Sequence, residues 1–574
     1  MLFKSPHPDL QIPNSVTTWE WAFENPETSS VARTLPSGRF GGYTDTTTNQ
    51  RLDFRAVKRL AEFLSTALVQ ECGLRPEHAV SLFSTNSIWY PIVMWATVRV
   101  GGRVNGASPA YSVDEMAHAL RTAETAVLVT LPSSLEVAVT AAGKAGIPKS
   151  RILLLEGTSV GFTSIQALIR KYETTARIEP SSRLPFGTSN ADVCGFLNFS
   201  SGTTGLPKAV MLSHANVIAQ CHQLRQLQLL PADGHYSILA VMPLFHITGL
   251  VRFCTYPVFM NGDCYMMPSY TLDLMLQNII RFRVEELILV PPILVRLVRD
   301  PITNKYLPQL QGIVKRFSSG SAPISTEITQ LLCQKFPATG FRQGYGATES
   351  TACISSHPGS HMDYRYAHTG GLLVANTVAK VISLTDETKM LGVGETGEIC
   401  AKGPQIAMGY LNNPEATKES FDEDGFLHTG DVGHIDAEGL IHVEDRIKEM
   451  IKVKGQQVAP AELESLILGH KEIEECAVVG IRDEWAGERP KAFVVPRRNK
   501  IGDEYMIQLG KEVIDLVKAR TVRYKWLVEV EFIDCLPRNP TGKLLRRLLK
   551  SRDEQAKTSQ VVIVRSDTDV RAKL

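Results

Sequence analysis

Short apolar runs alternate with helical patterns through most of the first 340 residues, and this alternation limits the fold more than any other feature. Ala79–Phe83, Ala126–Thr130 and Ile152–Leu155 are three such runs, each followed by a polar or small-residue turn. Strands that alternate with helices are typical of parallel sheets with crossover helices. Residues 341–443 are richer in glycine and short strands, for example Val378–Ser383. We therefore predict an α/β protein whose large N-terminal domain has layered α/β subdomains and a β-rich subdomain.

A small α+β C-terminal domain is predicted to follow. Its expected elements include a helix at Pro460–Leu468 and a strand at Val528–Ile533. The charged, proline-free stretch 444–448 fits a short hinge, which would make this domain mobile. We place the N-terminal domain at 1–445, the small domain at 446–550 and a flexible tail at 551–574. A chain of 574 residues, 44% of them apolar, is long enough for several such units.

The formal net charge of +1 argues against nucleic acid or an anionic membrane surface as a partner. The longest apolar stretch, 238–260, is interrupted by Pro243, His246, Arg252 and Pro257, so we expect no transmembrane segment. The ten cysteines are scattered without a C-x-x-C pair, which favours free thiols over a disulfide framework or a zinc site.

A loop rich in hydroxyl groups and glycine, residues 199–211, has the chemistry of a polyphosphate site. It reads FSSGTTGLPKAVM. Glycines let backbone N–H groups turn toward an anion, the hydroxyl groups add donors, and Lys208 adds a mobile positive charge. The loop is not a Walker P-loop, because Leu206 and Pro207 separate Gly205 from Lys208. Taken alone, the segment could also be a surface turn between two strands.

Four further motifs follow: QGYGATES at 343–350, HTGD at 428–431, DRIKEMIK at 445–452 with Gly455, and PTGK at 540–543. With the loop, their order and spacing resemble the adenylate-forming superfamily, above all 4-coumarate–CoA ligase-like enzymes and fungal peroxisomal acyl-CoA ligases. The resemblance covers residues 40–550. It implies a ligase that makes acyl-AMP and pyrophosphate from a carboxylic acid and ATP, then transfers the acyl group to CoA and releases AMP. Mg²⁺ is implied as a cofactor.

The resemblance also implies a nucleotide site built from these motifs. Lys208 and the loop hydroxyls would hold the β- and γ-phosphates, Thr348 would bind the α-phosphate, and Glu349 would help to hold Mg²⁺. Tyr345 would stack on adenine, and Asp431 would accept the ribose hydroxyls. The other residues implied to bind the nucleotide or line its pocket are Ser200, Ser201, Gly202, Thr203, Thr204, Ser321, Ala322, Gln343, Gly344 and Arg446.

Lys543 is implied to reach the ATP site from the small domain and to bridge the carboxylate of the acid and the α-phosphate. For the second step, members of the superfamily rotate the small domain about a hinge residue, here Lys448. The rotation would bring the Lys454-Gly455 loop to the pantetheine tunnel, and Lys452 and Gln457 to AMP and the reacting atoms. A solvated basic stretch is the alternative interpretation of Lys448, Lys452 and Lys454.

His246 is implied to gate the acyl site or to contact the bound carboxylate, although a histidine in an apolar run is often just a hydrogen-bonded core residue. The segments expected to line the acyl pocket, 244–253, 288–295, 318–323 and 343–352, are mostly apolar or small. They offer no obvious cation for a second carboxylate. The expected substrate is a hydrophobic monocarboxylic acid, either aryl or medium-chain.

Other functions stay open. A free-standing adenylation enzyme that feeds a carrier protein would carry the same motifs, and a luciferase-like monooxygenase would share the fold. A nonenzymatic binding module would be expected to lack Lys208, Glu349 or Lys543. Residues 157–161 fit the G-x-S-x-G elbow of serine hydrolases. Residues 392–397 fit the G-x-G-x-x-G dinucleotide pattern, but a strand and not a helix is expected to follow, so we predict a hairpin turn there.

The last three residues, Ala572-Lys573-Leu574, resemble the Ser-Lys-Leu peroxisomal address. They predict localisation in the peroxisome, with a peroxisomal import receptor as partner. The first fifteen residues contain three prolines and an aspartate where a signal peptide would need an apolar run.

Overall fold

The structure is a computed structural model that describes residues 1–29, 31, 38–174, 178–200, 207–231, 234–322, 324–454, 456–483, 485–497, 502–538, 543–555 and 562–566. Among these residues, no helix combines the length and the apolar character that a bilayer span requires. All ten cysteines are free thiols.

Residues 1–266 contribute strands β2 to β12 to two mostly parallel sheets with helices packed against them, while β1 joins a later antiparallel sheet. The strands are β1 (Leu2–Lys4), β2 (Gly42–Asp45), β3 (Arg51–Asp53), β4 (Ala79–Phe83), β5 (Arg103–Ala107), β6 (Thr125–Thr130), β7 (Ile152–Leu154), β8 (Thr163–Ser164), β9 (Cys194–Ser200), β10 (Lys208–Ser213), β11 (Ser237–Ala240) and β12 (Asp263–Met266). The helices are α1 (Phe54–Cys72), α2 (Tyr90–Arg99), α3 (Val113–Thr122), α4 (Leu135–Ala145), α5 (Ile165–Tyr172), α6 (His214–Leu227) and α7 (Tyr256–Met260), with π-helical segments at Glu20–Glu24 and Gly249–Thr255.

The three apolar runs that were predicted as strands are β4, β6 and β7, so this prediction is confirmed. They lie in parallel pairs inside the largest sheet, whose order ends in β10-β9-β5-β4-β6-β7-β8. Every residue of β4 is buried, as expected for a strand covered on both faces. Local sequence sets the helix ends: Ser112 and Glu115 form a capping box at the start of α3, and Gly73 ends α1 at φ 64°.

A third sheet, parallel over its first three strands, positions the functional motifs. Its elements are α8 (Leu272–Phe282), β13 (Glu286–Leu289), α9 (Pro291–Arg299), α10 (Ile302–Ile313), β14 (Arg316–Ser319), α11 (Thr326–Lys335), β15 (Gly340–Tyr345), β16 (Ser355–Ser356) and β17 (Leu372–Leu373). Strands β13, β14 and β15 run parallel and side by side. Their carboxyl ends therefore bring the segments after Leu289, Ser319 and Tyr345 to one edge, where open α/β sheets bind ligands.

The β-rich subdomain is an antiparallel sheet in the order β1-β18-β19-β21-β22. The new elements are β18 (Val378–Ile382), β19 (Gly397–Lys402), β20 (Gly409–Tyr410), α12 (Pro414–Ser420), β21 (Leu427–Ile435) and β22 (Ile441–Arg446). Residues 392–397 lie in the connection between the antiparallel strands β18 and β19, with no helix after them, so the hairpin prediction is confirmed. Residues 157–161 form an exposed turn between β7 and β8, and no helix begins directly after Ser159.

The residues after β22 form a sheet of their own. They comprise β23 (Ile451–Val453), β24 (Gln456–Val458), α13 (Pro460–Leu468), β25 (Ile473–Asp483), β26 (Gly487–Pro496), α14 (Asp503–Arg520), β27 (Glu529–Phe532), α15 (Arg546–Gln555) and β28 (Ile563–Arg565). The sheet order is β24-β23-β26-β27-β28, and β25 pairs with the other part of β26. This is the small α+β unit that the sequence predicted, and helix α13 has the predicted bounds.

The tail predicted from residue 551 contains regular structure in two places, of which the helix at 551–555 contradicts the prediction. Helix α15 continues to Gln555, and β28 pairs antiparallel with β27. The reason is packing: the side chain of buried Val564 lies against α14, where a Cβ added at Gly510 would stand 2.5 Å from Val564 Cγ2. A short apolar run therefore attaches the chain to the edge of the small sheet.

Candidate active site

A cavity of about 960 Å³ opens between the large domain and the small domain, and a second cavity of about 720 Å³ adjoins it. Both are lined by segments that follow β13, β14 and β15, and both are also lined by Arg446 and Lys543. The predicted motifs at 343–350, 428–431 and 445–452 thus meet residues of the small domain around one space.

Lys543 projects from the small domain into this space. Burial and the charge of Arg446 together lower the pKa of its ammonium group from 10.5 to about 8, although Glu449, Asp431 and Glu349 act in the opposite direction. In the large domain, burial and the positive charge of Lys543 lower the pKa of His246 to about 4. Lys543 is therefore close to carboxylates and a histidine that come from three separate motifs of the large domain.

Asp431 is buried at the end of the HTGD motif and has two partners. The Tyr345 hydroxyl donates to its Oδ2 at 2.9 Å, and Arg446 Nε lies 3.2 Å from its Oδ1. Burial raises the pKa of the Asp431 carboxyl, and Arg446 opposes this effect. Strand pairing explains the arrangement, because Asp431 on β21 is directly opposite Arg446 on β22.

Tyr410, which no sequence motif marked, contacts both Glu349 and Lys208. The Tyr410 hydroxyl donates to Glu349 Oε1 at 2.9 Å, and Lys208 Nζ lies 4.9 Å from the centroid of the Tyr410 ring. Strand β20, which carries Tyr410, pairs with β10, whose first residue is Lys208. No local motif marks Tyr410, since its role depends on this long-range pairing.

The polyphosphate loop connects two paired strands, because Ser200 at the end of β9 is opposite Lys208 at the start of β10. Both residues line the larger cavity. Ser201, Gly202, Thr203 and Thr204 lie outside the described residues, and so does Gly455.

The turn after β15 presents Thr348 and Glu349 to the larger cavity, and Gly346 makes the turn possible. A Cβ at Gly346 would stand 2.3 Å from the backbone oxygen of Ala352, closer than real Cβ atoms approach. Gln343, Gly344 and Tyr345 line the smaller cavity together with Ser321 and Ala322. Ser321 adopts φ 71°, a left-handed conformation that favours glycine, in the turn that follows β14.

Among the described residues that were assigned to the second half-reaction, Lys448 lines a cavity, and Lys452, Lys454 and Gln457 do not. Lys448 is exposed in the turn directly after β22 and lines the larger cavity. Lys452 and Gln457 are exposed on the paired strands β23 and β24, and the structure brings neither of them to a cavity. Lys454 is also exposed, and its Nζ lies 2.8 Å from the centroid of the Trp485 ring.

The expectation that the acyl pocket lacks a cation was wrong. Arg252, on the π-helical segment that follows His246, lines the larger cavity, and so does Arg342. The apolar lining predicted there is also present, for example Ile288 and Val290. The signal was visible in the sequence as an arginine within the otherwise apolar stretch 244–253, but its direction could not be predicted.

Polar contacts hold the small domain in this orientation. Arg299 on α9 donates from Nη1 to the backbone oxygens of Ile473 at 3.4 Å and Glu474 at 3.1 Å, while its Nη2 donates to Glu327. Arg497 of the small domain also approaches Glu327, at 3.5 Å. None of these residues belongs to a motif that the sequence analysis recognised.

Comparison with known proteins places this architecture in a family. Residues 27–411 match the AMP-binding enzyme family, and residues 462–543 match the AMP-binding enzyme C-terminal domain. The chain is 34% identical over 523 residues to peroxisomal OPC-8:0-CoA ligase 1 of Arabidopsis thaliana, which covers 91% of this chain and 92% of the relative. It is 32% identical over 566 residues to a 4-coumarate–CoA ligase of Pinus taeda, with 96% and 97% covered.

Solved structures share the fold. ATP-bound MatB from Rhodopseudomonas palustris aligns with a TM-score of 0.78 at 26% identity, over 90% of this chain and 97% of that one. The anthranilate CoA ligase AuaEII, in complex with anthranoyl-AMP, aligns with a TM-score of 0.81 at 23% identity, over 95% and 98%. The predicted fold class is thereby confirmed.

The chain belongs to the AMP-binding enzyme family, the adenylate-forming superfamily that its motifs resemble. It is an AMP-forming acid–thiol ligase, which uses ATP to convert a carboxylic acid to an acyl adenylate and transfers the acyl group to CoA. The resemblance stated from the motifs is therefore confirmed.

Proposed function

We propose that this ligase activates a largely hydrophobic carboxylic acid, aryl or medium-chain, in the cavity between its two domains, and that Lys543 is the principal catalytic residue of adenylation. The observation that carries the proposal is the position of Lys543, which reaches from the small domain to Asp431, Glu349 and His246 of the large domain. Two mutually repelling anions, the carboxylate and the triphosphate, must meet for this reaction, and a cation between them lowers that barrier.

Lys543 is suited to this task because its ammonium group is still mostly charged at neutral pH. With a pKa of about 8, about nine tenths of the groups carry the proton at pH 7. Two unit charges ~4 Å apart interact by about 4 kcal/mol at an effective dielectric constant of 20. Bound triphosphate adds negative charge to the cavity, which would raise the protonated fraction further.

The remaining groups would each bind a different part of the nucleotide. Lys208 and Ser200 would face the β- and γ-phosphates at the loop, Thr348 would bind the α-phosphate, and Asp431 would accept the ribose hydroxyls through lone pairs that Tyr345 and Arg446 do not use. Ser321, Ala322, Gln343 and Gly344, which share the smaller cavity with Tyr345, would line the base and the adjoining acyl pocket.

Glu349 is a fitting ligand for Mg²⁺, because its carboxylate lines the phosphate end of the cavity and offers the hard oxygen that this ion prefers. With phosphate oxygens as further ligands, the ion would neutralise part of the negative charge on the nucleotide. Tyr410 fixes the other side of this carboxylate through its hydrogen bond to Oε1.

Thioester formation would require a different orientation of the small domain, with Lys448 as the hinge. In the observed orientation Lys543 occupies the cavity, and Lys452, Lys454 and Gln457 lie exposed outside it. A rotation at the exposed turn after β22 would withdraw Lys543 from the cavity. It would bring Lys452, Lys454 and Gln457, with Gly455, to AMP and the thiol of CoA. We further propose that the enzyme acts in the peroxisome through Ala572-Lys573-Leu574 and an import receptor. Support comes from the peroxisomal relative, and the tripeptide itself lies outside the described residues.

The test is a panel of aryl and medium-chain acids incubated with ATP, Mg²⁺ and CoA, in which pyrophosphate and acyl-CoA are measured together. The proposal predicts equimolar release of pyrophosphate and acyl-CoA with at least one hydrophobic acid. Pyrophosphate without a thioester would point to another acceptor, such as a carrier protein. No pyrophosphate with any acid of the panel would contradict the proposal.

A further inference from the structure

A buried carboxylate near the cavity faces three guanidinium groups. Arg252, Arg316 and Arg342 approach the oxygens of Glu286 at 3.4, 3.5 and 3.6 Å. Charge-assisted hydrogen bonds between such groups are ordinarily about 2.7–2.9 Å long, so none of the three pairs is well formed. The cluster therefore holds three positive charges against one negative charge in an interior where buried charges are normally paired.

The short hydrogen bonds to Glu286 come from neutral donors instead. Gln228 Nε2 donates to it at 2.8 Å and Ser318 Oγ at 3.0 Å. The carboxylate is nevertheless ionised: burial alone would raise its pKa, but Arg342, Arg252 and Arg316 lower it to about 2. The acceptor capacity of Glu286 is thus largely used, and the guanidinium donors are in surplus.

Arg252 has the weakest set of partners among the three arginines. Arg316 and Arg342 each donate to a backbone oxygen, of Leu229 at 2.8 Å and of Leu227 at 2.7 Å. Arg252 has the long contact with Glu286 and lies 5.3 Å from the centroid of the Tyr256 ring. Its Nε is buried without a hydrogen-bond partner among the described residues.

Arg252 also lines the cavity that contains Lys543, and Ile288 and Val290 belong to the apolar part of the same lining. His246 precedes Arg252 by six residues, and the intervening segment is helical from residue 247. The cavity therefore combines two cations, Lys543 and Arg252, with apolar lining.

We propose that the guanidinium of Arg252, supported by Arg342, forms a subsite for an oxygen acceptor at the far end of an otherwise apolar acid. This inference rests on the proposed function, since it describes the substrate of that site. The acceptor is a neutral hydroxyl or carbonyl oxygen or a second carboxylate. A carboxylate would neutralise one of the surplus charges, whereas a neutral oxygen would satisfy donors alone.

The experiment compares acids of equal chain length that are unsubstituted, ω-hydroxylated or ω-carboxylated. For each acid, kcat/KM of pyrophosphate release is measured at saturating ATP for the wild type, Arg252→Met and Arg252→Lys. Arg170→Met serves as the control, because Arg170 is exposed on α5 away from both cavities. The readout is the ratio of kcat/KM between a substituted acid and the plain acid within one variant, so general damage to the enzyme cancels.

We expect the wild type and Arg170→Met to prefer one substituted acid over the plain acid by at least about tenfold. Arg252→Met should remove or reverse that preference, and Arg252→Lys should retain part of it. A preference for the ω-carboxylated acid identifies an anionic partner, and a preference for the ω-hydroxylated acid identifies a neutral one. Equal ratios in the wild type and Arg252→Met, or a wild-type preference for the plain acid, would overturn this inference alone. Absence of pyrophosphate release with every acid would overturn the proposed function and this inference with it.

Discussion

The lowered pKa of Lys543 predicts a specific pH dependence of adenylation. Its pKa falls from 10.5 to about 8, which corresponds to roughly 3 kcal/mol of lost preference for the charged form. The sign is fixed, because a lysine with a lowered pKa is protonated below that value and neutral above it. If the charge is required, kcat/KM of pyrophosphate release should decrease as pH rises through about 8, by about tenfold for each further pH unit.

The assay is pyrophosphate release without CoA at ATP concentrations well below its KM, since kcat/KM for ATP then reports the pKa values of the enzyme without bound nucleotide. Lys543→Arg is the informative comparison, because a guanidinium group stays charged throughout this range. Its activity will be lower, but the decrease near pH 8 should be absent. His246 cannot cause this decrease, since burial and Lys543 hold its pKa near 4. The reasoning is refuted if the decrease persists unchanged in Lys543→Arg.

Three further substitutions test separate parts of the account. Lys448→Pro should slow thioester formation more than adenylation, because proline fixes φ at the hinge turn; equal rates of both half-reactions for mutant and wild type would remove the hinge assignment. Arg299→Ala should reduce adenylation roughly two- to tenfold, because it removes donors that hold the small domain, while Arg296→Ala on the same helix, whose ion pair stays within the large domain, should leave it unaltered. Gly346→Ala should reduce adenylation by ~10² by displacing Thr348 and Glu349, and a fully active variant would show that the close contact with Ala352 can relax.

Much of the architecture could be predicted because local patterns and the fold agree. Apolar runs became β4, β6 and β7, and helix α13 begins at the proline that starts the predicted segment. The place of β28 in the small sheet could not be predicted, because the packing of Val564 against Gly510 joins residues far apart in the chain. An apolar run of four residues is too short to assign such a strand to its sheet from sequence.

In the candidate site as well, residues in local motifs could be predicted, and residues positioned by tertiary contacts could not. Motifs predicted which segments meet, and Lys208, Thr348, Glu349 and Lys543 do line one cavity. Groups that act through tertiary contacts could not be found this way. Tyr410 reaches Glu349 through the pairing of β20 with β10. The charge surplus around Arg252 likewise depends on strand pairing, because β13 and β14 place Glu286 opposite Arg316 and β15 places Arg342 opposite Ser318.

The most direct test of the central claim compares the two half-reactions of Lys543→Ala. Adenylation is followed as pyrophosphate release from ATP and acid, and thioester formation as acyl-CoA production from preformed acyl adenylate and CoA. Because Lys543 lies in the cavity with the large-domain residues in the observed orientation and the rotated orientation would remove it, we predict that adenylation falls by about 10²–10³ while thioester formation stays close to wild type. An equal loss in both half-reactions, or normal adenylation, would contradict the account.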